Sequence, residues 1–92
     1  MQTWFVYMIE NTHGELYTGI TTDVVRRFRQ HGSQKGGAKF FRRFPPKELV
    51  YLHPVVGRSK ALQIEQKIKR LSRKDKQKLI ADLYESQHCL PS

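Results

Sequence analysis

Two short runs of sequence, TWFVYMIE (residues 3–10) and ELYTGIT (residues 15–21), decide the fold of this chain. The first run is apolar, aromatic and β-branched and is too short for an isolated helix, so it predicts a strand buried on both faces. Between the runs lies NTHG (residues 11–14), in which Gly14 can adopt the positive φ of a tight turn. The two runs are therefore predicted to pair as an antiparallel hairpin.

The length of the loop decides which side chains of this hairpin meet. Alternation along the first strand places Tyr7 on one face and Val6 on the other. If the loop holds an odd number of residues, with Gly14 left-handed, Tyr7 and Tyr17 lie on the same side. Gly19 then leaves bare backbone beside them, able to accept a phosphate or a neighbouring helix. The alternative is that both tyrosines are half-buried sheet residues whose hydroxyls face water.

Positive charge is concentrated in one block of the chain. The 92 residues carry 17 Lys and Arg against 8 Asp and Glu, a formal charge of +9, and every Lys and Arg lies between Arg26 and Lys78. Such a block predicts one positive face, for which nucleic acid is the expected polyanion. An acidic membrane or an acidic protein is the alternative partner.

Size and cysteine usage limit the class of protein. A chain of 92 residues with one cysteine, Cys89, allows one small domain without an internal disulfide or a cysteine zinc site. No secretory leader or membrane-spanning run is visible, so we expect a cytoplasmic domain over residues 1–92 that binds no membrane. Its core should cover about residues 3–85, with a flexible tail at residues 86–92.

The first helix is predicted from Val24 to about residue 31, capped by Thr22 or Asp23. Its periodicity places Val24, Val25 and Phe28 toward the core and leaves Arg27 and His31 together on the outer face.

Residues 32–47 show no periodicity and alternate phenylalanine with basic side chains. A long loop in a small domain is usually functional, because its cations can contact phosphates and its aromatic rings can stack on unpaired bases. The alternative is that Phe40, Phe41 or Phe44 packs into the core, and we expect this of at least one.

The second half of the chain predicts a strand and two helices. The strand covers Glu48 to Val56, with Leu49 and Tyr51 on one side and Pro54 marking an edge or an end. The helices run from about residue 60 to 71 and from about 73 to 85, capped by Ser59 and Ser72.

Glu65 is the odd residue of the first of these two helices. It lies on the shoulder of the apolar stripe that includes Ala61 and Ile68, so the sheet should shield it partly. The alternative is an ordinary exposed pair with Lys69, one helical turn later.

Together these residues resemble the GIY-YIG nuclease superfamily, and most of all its small stand-alone bacterial members. The resemblance covers about residues 3–80 and lies in Phe5-Val6-Tyr7, Tyr17-Thr18-Gly19, Arg27, His31 and Glu65. It implies an α+β fold, in which a three-stranded antiparallel sheet is flanked by about three helices, in agreement with the order of elements above.

The resemblance also implies a metal-dependent endonuclease that hydrolyses DNA with low sequence specificity, with DNA repair or recombination as its setting. Glu65 would bind one Mg²⁺ or Mn²⁺ ion, weakly without substrate, and Arg27 would bind the phosphate. Tyr17 would be the general base, His31 would take or relay its proton, and Tyr7 would orient the water or the phosphate. Gly19 would have a structural role.

The expected nucleic-acid contacts are Arg26, Lys35, Lys39, Arg42, Arg43 and Lys69, with DNA preferred over RNA. Two alternatives stay open on the sequence. One is a module with the same fold that binds nucleic acid without chemistry, and the other is a basic subunit of a larger complex.

Overall fold

The described part of the chain contains three strands and three α-helices. The computed structural model describes residues 2–33 and 36–88, so Lys35 and residues 89–92 of the expected tail lie outside the described part. The elements are β1 (Thr3–Asn11), β2 (Leu16–Thr21), α1 (Val24–Ser33), a 3-10 turn (Lys39–Phe41), β3 (Pro46–Val56), α2 (Arg58–Lys69) and α3 (Arg73–His88). The sheet has the order β2-β1-β3 with both pairings antiparallel, which confirms the predicted α+β fold.

The hairpin of β1 and β2 has the predicted parity. Tyr7 pairs with Gly19, and Ile9 pairs with Tyr17, so the two tyrosines lie on the same side of the sheet. The backbone N–H of Asn11 donates to the carbonyl oxygen of Glu15 at 2.9 Å, so the last hydrogen bond of the hairpin encloses a loop of three residues, 12–14, in which Gly14 adopts a φ of 81°. The odd loop thus brings both phenols to one face.

The buried side chain of Asn11 holds this loop closed. Its Oδ1 accepts hydrogen bonds from the backbone N–H groups of His13, at 3.0 Å, and Glu15, at 2.8 Å. Its Nδ2 donates to Oε1 of Glu15 at 3.1 Å. An asparagine that bonds the backbone ahead of it stabilises a turn of defined length.

The two faces of the sheet are covered by different helices. We call the side that carries Val6 and Met8 the α2 face, because Ala61 and Ile68 of α2 pack against it. Three side chains of α3, namely Leu79, Ile80 and Leu83, complete that cluster. We call the side that carries Tyr7 and Ile9 the α1 face, because Phe28 of α1 packs there together with Phe41.

β3 pairs with the far side of β1 and is an edge of the sheet, as Pro54 predicted. A bulge interrupts its pairing, since Met8 lies opposite Tyr51 whereas the next residue, Ile9, lies opposite Leu49. The extra residue breaks the alternation of side chains. Tyr51 therefore packs on the α2 face and Leu49 on the α1 face, so the prediction that they share a side is wrong.

α1 begins at its predicted cap, where Oδ1 of Asp23 accepts the backbone N–H of Arg26 at 3.1 Å. The orientation of the helix differs from the prediction. Val25 is 63% exposed, whereas His31 is only 1% exposed. His31 follows Phe28 by three positions, so the two share the inner side of the helix and the expected outward placement of His31 is wrong.

The starts of the last two helices differ in their caps. α2 begins directly after Gly57, which has a φ of 90°, so Ser59 lies within the helix and does not cap it. α3 begins at its predicted cap, where Oγ of Ser72 accepts the N–H of Asp75 at 3.1 Å. α3 reaches residue 88 and so takes in the first three residues of the expected tail. None of the described helices combines the length and the apolar character that crossing a membrane requires.

Candidate active site

Tyr7 lies at the centre of the α1 face. It is buried, and its hydroxyl oxygen lies 3.0 Å from Nε2 of His31. A Cβ added at Gly19, on the paired strand, would lie 2.5 Å from that oxygen. Glycine is therefore the residue that leaves room for the phenol, and Tyr7 itself fills the patch expected to receive a phosphate or a helix.

Both ring nitrogens of His31 have partners. Nδ1 accepts the backbone N–H of Ala38 at 3.0 Å, so the neutral ring carries its proton on Nε2 and donates it to the hydroxyl of Tyr7. Gly37 permits this contact, since a Cβ there would lie 2.6 Å from the backbone of α1. Burial, reinforced by the charge of Arg27, lowers the pKa of His31 to about 4, so the ring is neutral at pH 7.

Tyr17 is the second phenol of this cluster and is half-buried. Its ring centroid lies 6.2 Å from that of Tyr7 and 5.2 Å from that of His31. Phe40 and Phe41 of the 3-10 turn pack against it at 5.5 and 5.2 Å. Phe41 is 1% exposed, which confirms that at least one phenylalanine of the long loop joins the core.

Arg27 lies beside both Tyr7 and His31. Its Nη1 donates to Oε1 of Gln30 at 3.1 Å and to the carbonyl oxygen of Gly36 at 2.6 Å, which fixes the guanidinium. Burial raises the pKa of Tyr7 to about 12, and Arg27 opposes this rise by hydrogen bonding and by its charge. An arginine has five N–H donors, so donors are left for a ligand.

Glu65 comes from α2, on the other side of the sheet, yet its charge acts on the same phenol. It is 8% exposed. The charges of Tyr17 and Glu65 add to the effect of burial on the pKa of Tyr7, so the carboxylate lies within electrostatic reach of the site. α2 packs on β2, the edge strand that carries Tyr17. The alternative pair is present too, because Oε2 of Glu65 lies 3.7 Å from Nζ of Lys69.

The donor chemistry of this site fits a weakly held hard cation. Among the described residues, no three His, Cys, Asp or Glu side chains lie close enough together to bind a metal. Mg²⁺ keeps several waters and binds proteins through one or two carboxylates together with substrate phosphates. Glu65 can supply such a carboxylate, and water and a phosphate would supply the other ligands.

Five of the six residues predicted to contact nucleic acid belong to the described part of the chain, and all five lie at the surface. Arg26, on α1, is exposed, as are Lys39, Arg42, Arg43 and Lys69.

The basic loop after the 3-10 turn contacts the tip of the hairpin. The guanidinium of Arg43 lies 5.4 Å from the ring of Phe44, which stacks on His13 at 4.4 Å with an angle of 13°. The predictions missed Arg73, which donates from Nη2 to the carbonyl oxygen of Gly14 at 2.6 Å. The signal was the basic run RKDKQK (residues 73–78), which opens α3.

Comparisons with known proteins identify the family. The model of the GIY-YIG catalytic domain matches residues 3–79. The UPF0213 protein YhbQ of Escherichia coli K12 is 46% identical over 82 residues, which cover 89% of this chain and 81% of the relative. A UPF0213 protein of Klebsiella pneumoniae is 46% identical over 78 residues, covering 85% and 73%.

A solved structure agrees with the sequence relatives. The solution NMR structure of the UPF0213 protein BH0048 from Bacillus halodurans is 34% identical, has a TM-score of 0.56 and covers 98% of each chain. With a catalytic-domain match over most of its length and relatives among small bacterial UPF0213 proteins, this chain belongs to the GIY-YIG family.

Proposed function

We propose that this protein is a divalent-metal-dependent endonuclease that hydrolyses phosphodiester bonds of DNA with low sequence specificity. One observation carries the proposal: a guanidinium, an imidazole, a second phenol and a carboxylate all act on the buried hydroxyl of Tyr7. Hydrolysis of a phosphodiester needs a base for water, donors for the phosphate and a ligand for a cation. The match to a catalytic domain supports the same reaction class.

Tyr17 is the proposed general base. A general base must reach the attacking water when substrate is bound. Tyr7 is buried and, with a pKa of about 12, keeps its proton near neutral pH. Tyr17 is the more exposed phenol of the pair, so it can reach a water beside a bound phosphate.

His31 acts through Tyr7. Because Nδ1 of the neutral ring is occupied by Ala38, the ring has no acceptor for a proton, and its Nε2–H is donated to Tyr7. This geometry favours a positioning role over the proton-transfer role that the resemblance implied. The O–H of Tyr7 can then donate to the water or to a phosphate oxygen.

Arg27 is the proposed ligand of the phosphate, and Glu65 is the proposed ligand of the cation. The donors of Arg27 that Gln30, Gly36 and Tyr7 do not use can bind non-bridging oxygens of a phosphate, which a planar guanidinium does better than an ammonium. Glu65 would hold Mg²⁺ or Mn²⁺, and such an ion supplies neutralisation of the charge that grows on the phosphate. The exposed cations around the site would contact phosphates, which carry no base information, so specificity should be low.

The test is metal-dependent cleavage by the Glu65→Gln variant. Purified protein should nick plasmid DNA with Mn²⁺, and Glu65→Gln should lower the rate at least about a hundredfold while DNA binding is kept. Glu48→Gln is the matched control, since Glu48 is an exposed carboxylate on β3. Salt-sensitive binding without cuts in any DNA would instead support the binding module, and equal cleavage by both variants would place the reaction elsewhere.

A further inference from the structure

A pocket on the far side of Phe40 belongs to none of the roles above. It has a volume of about 210 Å³ and is lined by Glu15, Leu16, Phe40, Arg73 and Lys76. We propose that this pocket binds one nucleotide of the substrate strand next to the bond that is cut. The proposal rests on the nuclease function above and adds a subsite to it.

The position of the pocket links it to the active site. Phe40 forms one wall, and its ring centroid lies 5.5 Å from that of Tyr17, the proposed base. The pocket therefore begins one side chain away from Tyr17, beside which the proposed mechanism places the reacting phosphate. A strand whose phosphate is bound by Arg27 can place a neighbouring nucleotide there.

The lining matches the parts of a nucleotide. The ring of Phe40 can contact a base, since every base has a π-face. Arg73 and Lys76 are two cations for a phosphate. Glu15 can accept a hydrogen bond from an exocyclic amino group, as carboxylates do from cytosine. A bare phosphate would use only the cations of this set, and an apolar ligand would use only the aromatic and aliphatic wall.

Arg73 and Glu15 of the pocket are held in place before any ligand arrives. Nη2 of Arg73 donates to the carbonyl oxygen of Gly14 at 2.6 Å, which ties the start of α3 to the tip of the hairpin. Lys76 follows Arg73 by three positions, so both lie on the same side of the helix. Oε1 of Glu15 accepts from Nδ2 of Asn11 at 3.1 Å, which orients the carboxylate. Groups fixed in this way lose little freedom on binding.

The first test measures binding alone, with the Glu65→Gln protein and no divalent metal. The probe is a fluorescent eight-residue oligodeoxycytidine, titrated over a series of salt concentrations. Lys76→Gln should lower the slope of log affinity against log salt by about 0.7, the value for one phosphate contact on a single strand. Lys78→Gln removes the same charge from α3 outside the pocket and should leave the slope unchanged. Equal slopes for the two variants would overturn the subsite.

The second test asks whether contacts of Phe40 with a base contribute to the affinity. The same protein is titrated with an abasic oligomer of equal length and charge, and the ratio of the two affinities is the contribution of the bases. We expect a contribution of at least about fivefold. Phe40→Leu should remove most of it, whereas Phe44→Leu, a matched change at the stack on His13, should keep it. A contribution that survives Phe40→Leu would overturn the proposal.

These measurements separate the subsite from the nuclease function. If wild-type protein cuts no DNA while the effects of Lys76→Gln and Phe40→Leu are found, the nuclease proposal fails, and the pocket stands as a site for one nucleotide of a bound strand. If wild-type protein cuts DNA with Mn²⁺ and neither variant differs from its control, the pocket fails and the nuclease proposal stands.

Discussion

The two faces of the sheet share strand β1 but bury side chains of different chemistry. The α2 face buries Val6 and Met8 under Ala61 and Ile68, which are aliphatic or thioether side chains without a strong hydrogen-bonding group. The α1 face buries a ring with a hydroxyl, Tyr7, under other rings. Successive residues of β1 thus alternate between a hydrophobic core and a polar aromatic cluster.

This difference shows how one small sheet can support both a hydrophobic core and the candidate active site. Burial of aliphatic groups on the α2 face stabilises the fold without directional requirements. On the α1 face burial also excludes water, so each hydrogen bond there is strong but costly if it is left unmade. Changes to the aliphatic side chains of the first face should therefore alter stability, whereas changes to the ring cluster of the second should alter activity and pH dependence.

The largest effect should come from a cavity on the α2 face. Met8 is fully buried in that cluster, so Met8→Ala should lower the free energy of unfolding by about 2–5 kcal/mol. Urea denaturation measures this change. DNA affinity per folded molecule should stay the same, because Met8 points away from the phenols. Val56→Ala, at a residue that is 61% exposed, is the control and should change stability little. A large loss of affinity in folded Met8→Ala would show that the two faces are coupled.

The next effect is the response of the α1 face to acid. Burial depresses the pKa of His31 from 6.5 to about 4, so below pH 6.5 the unfolded chain takes up a proton that the folded chain refuses. The contribution of neutral His31 to the free energy of unfolding is therefore fully present above pH 6.5 and is lost as the pH falls to about 4. The loss should reach about 3 kcal/mol.

Urea denaturation of wild type and His31→Gln at pH 7.5 and pH 4.5 checks this prediction. The difference between the two pH values should be smaller for the variant, which cannot titrate at that position. An equal pH response in both proteins would mean that His31 does not carry the effect.

A third effect, of nearly the same size, should follow from a single methyl group at Gly19. The added Cβ would lie 2.5 Å from the hydroxyl oxygen of Tyr7, so the phenol must move. A displacement of about 1 Å in a catalytic group can lower the rate roughly a hundredfold. Gly32→Ala is the control, since its Cβ would meet nothing closer than Pro46 at 3.8 Å. Nicking of plasmid DNA with Mn²⁺ gives the rates, and similar rates for the two variants would contradict the prediction.

The smallest effect concerns the cation beside Glu65. Nζ of Lys69 lies 3.7 Å from the carboxylate, so the proposed metal ion would have to compete with it. Lys69→Met keeps the alkyl stem and removes the charge, so Mn²⁺ should bind about twofold more tightly without nucleic acid. Calorimetric titration measures the affinity. Lys67→Met, at an exposed lysine on the same helix, should change it less, and weaker binding in Lys69→Met would refute the competition.

The parts of the fold that sequence alone predicts are those with local causes. The turn residues and Gly14 specify a loop of three residues, and from this the shared side of Tyr7 and Tyr17 follows. The caps at Asp23 and Ser72 likewise depend on hydrogen bonds within one helical turn. Such contacts can be read from a few neighbouring residues.

The parts that escaped prediction depend on contacts distant in the sequence. His31 looks like a surface residue on α1, and it is buried because Ala38 and Tyr7 satisfy its two nitrogens. The bulge in β3, where its pairing with β1 shifts after Met8, has no glycine or other turn residue that would have indicated it in the sequence. Polar groups buried by distant partners and irregular strand pairing are both tertiary effects.

The hydrogen bonds of Asn11 limit which insertions the hairpin loop can accept. The Asn11 side chain accepts hydrogen bonds from two backbone N–H groups of the loop, and these bonds favour one loop length. One inserted residue would turn Tyr17 toward α2 and separate it from Tyr7, whereas two inserted residues would return it. Insertions of an even number of residues should therefore be tolerated better than insertions of an odd number. A series of even insertions would lengthen the tip of the hairpin and keep Tyr7 and Tyr17 on the same side.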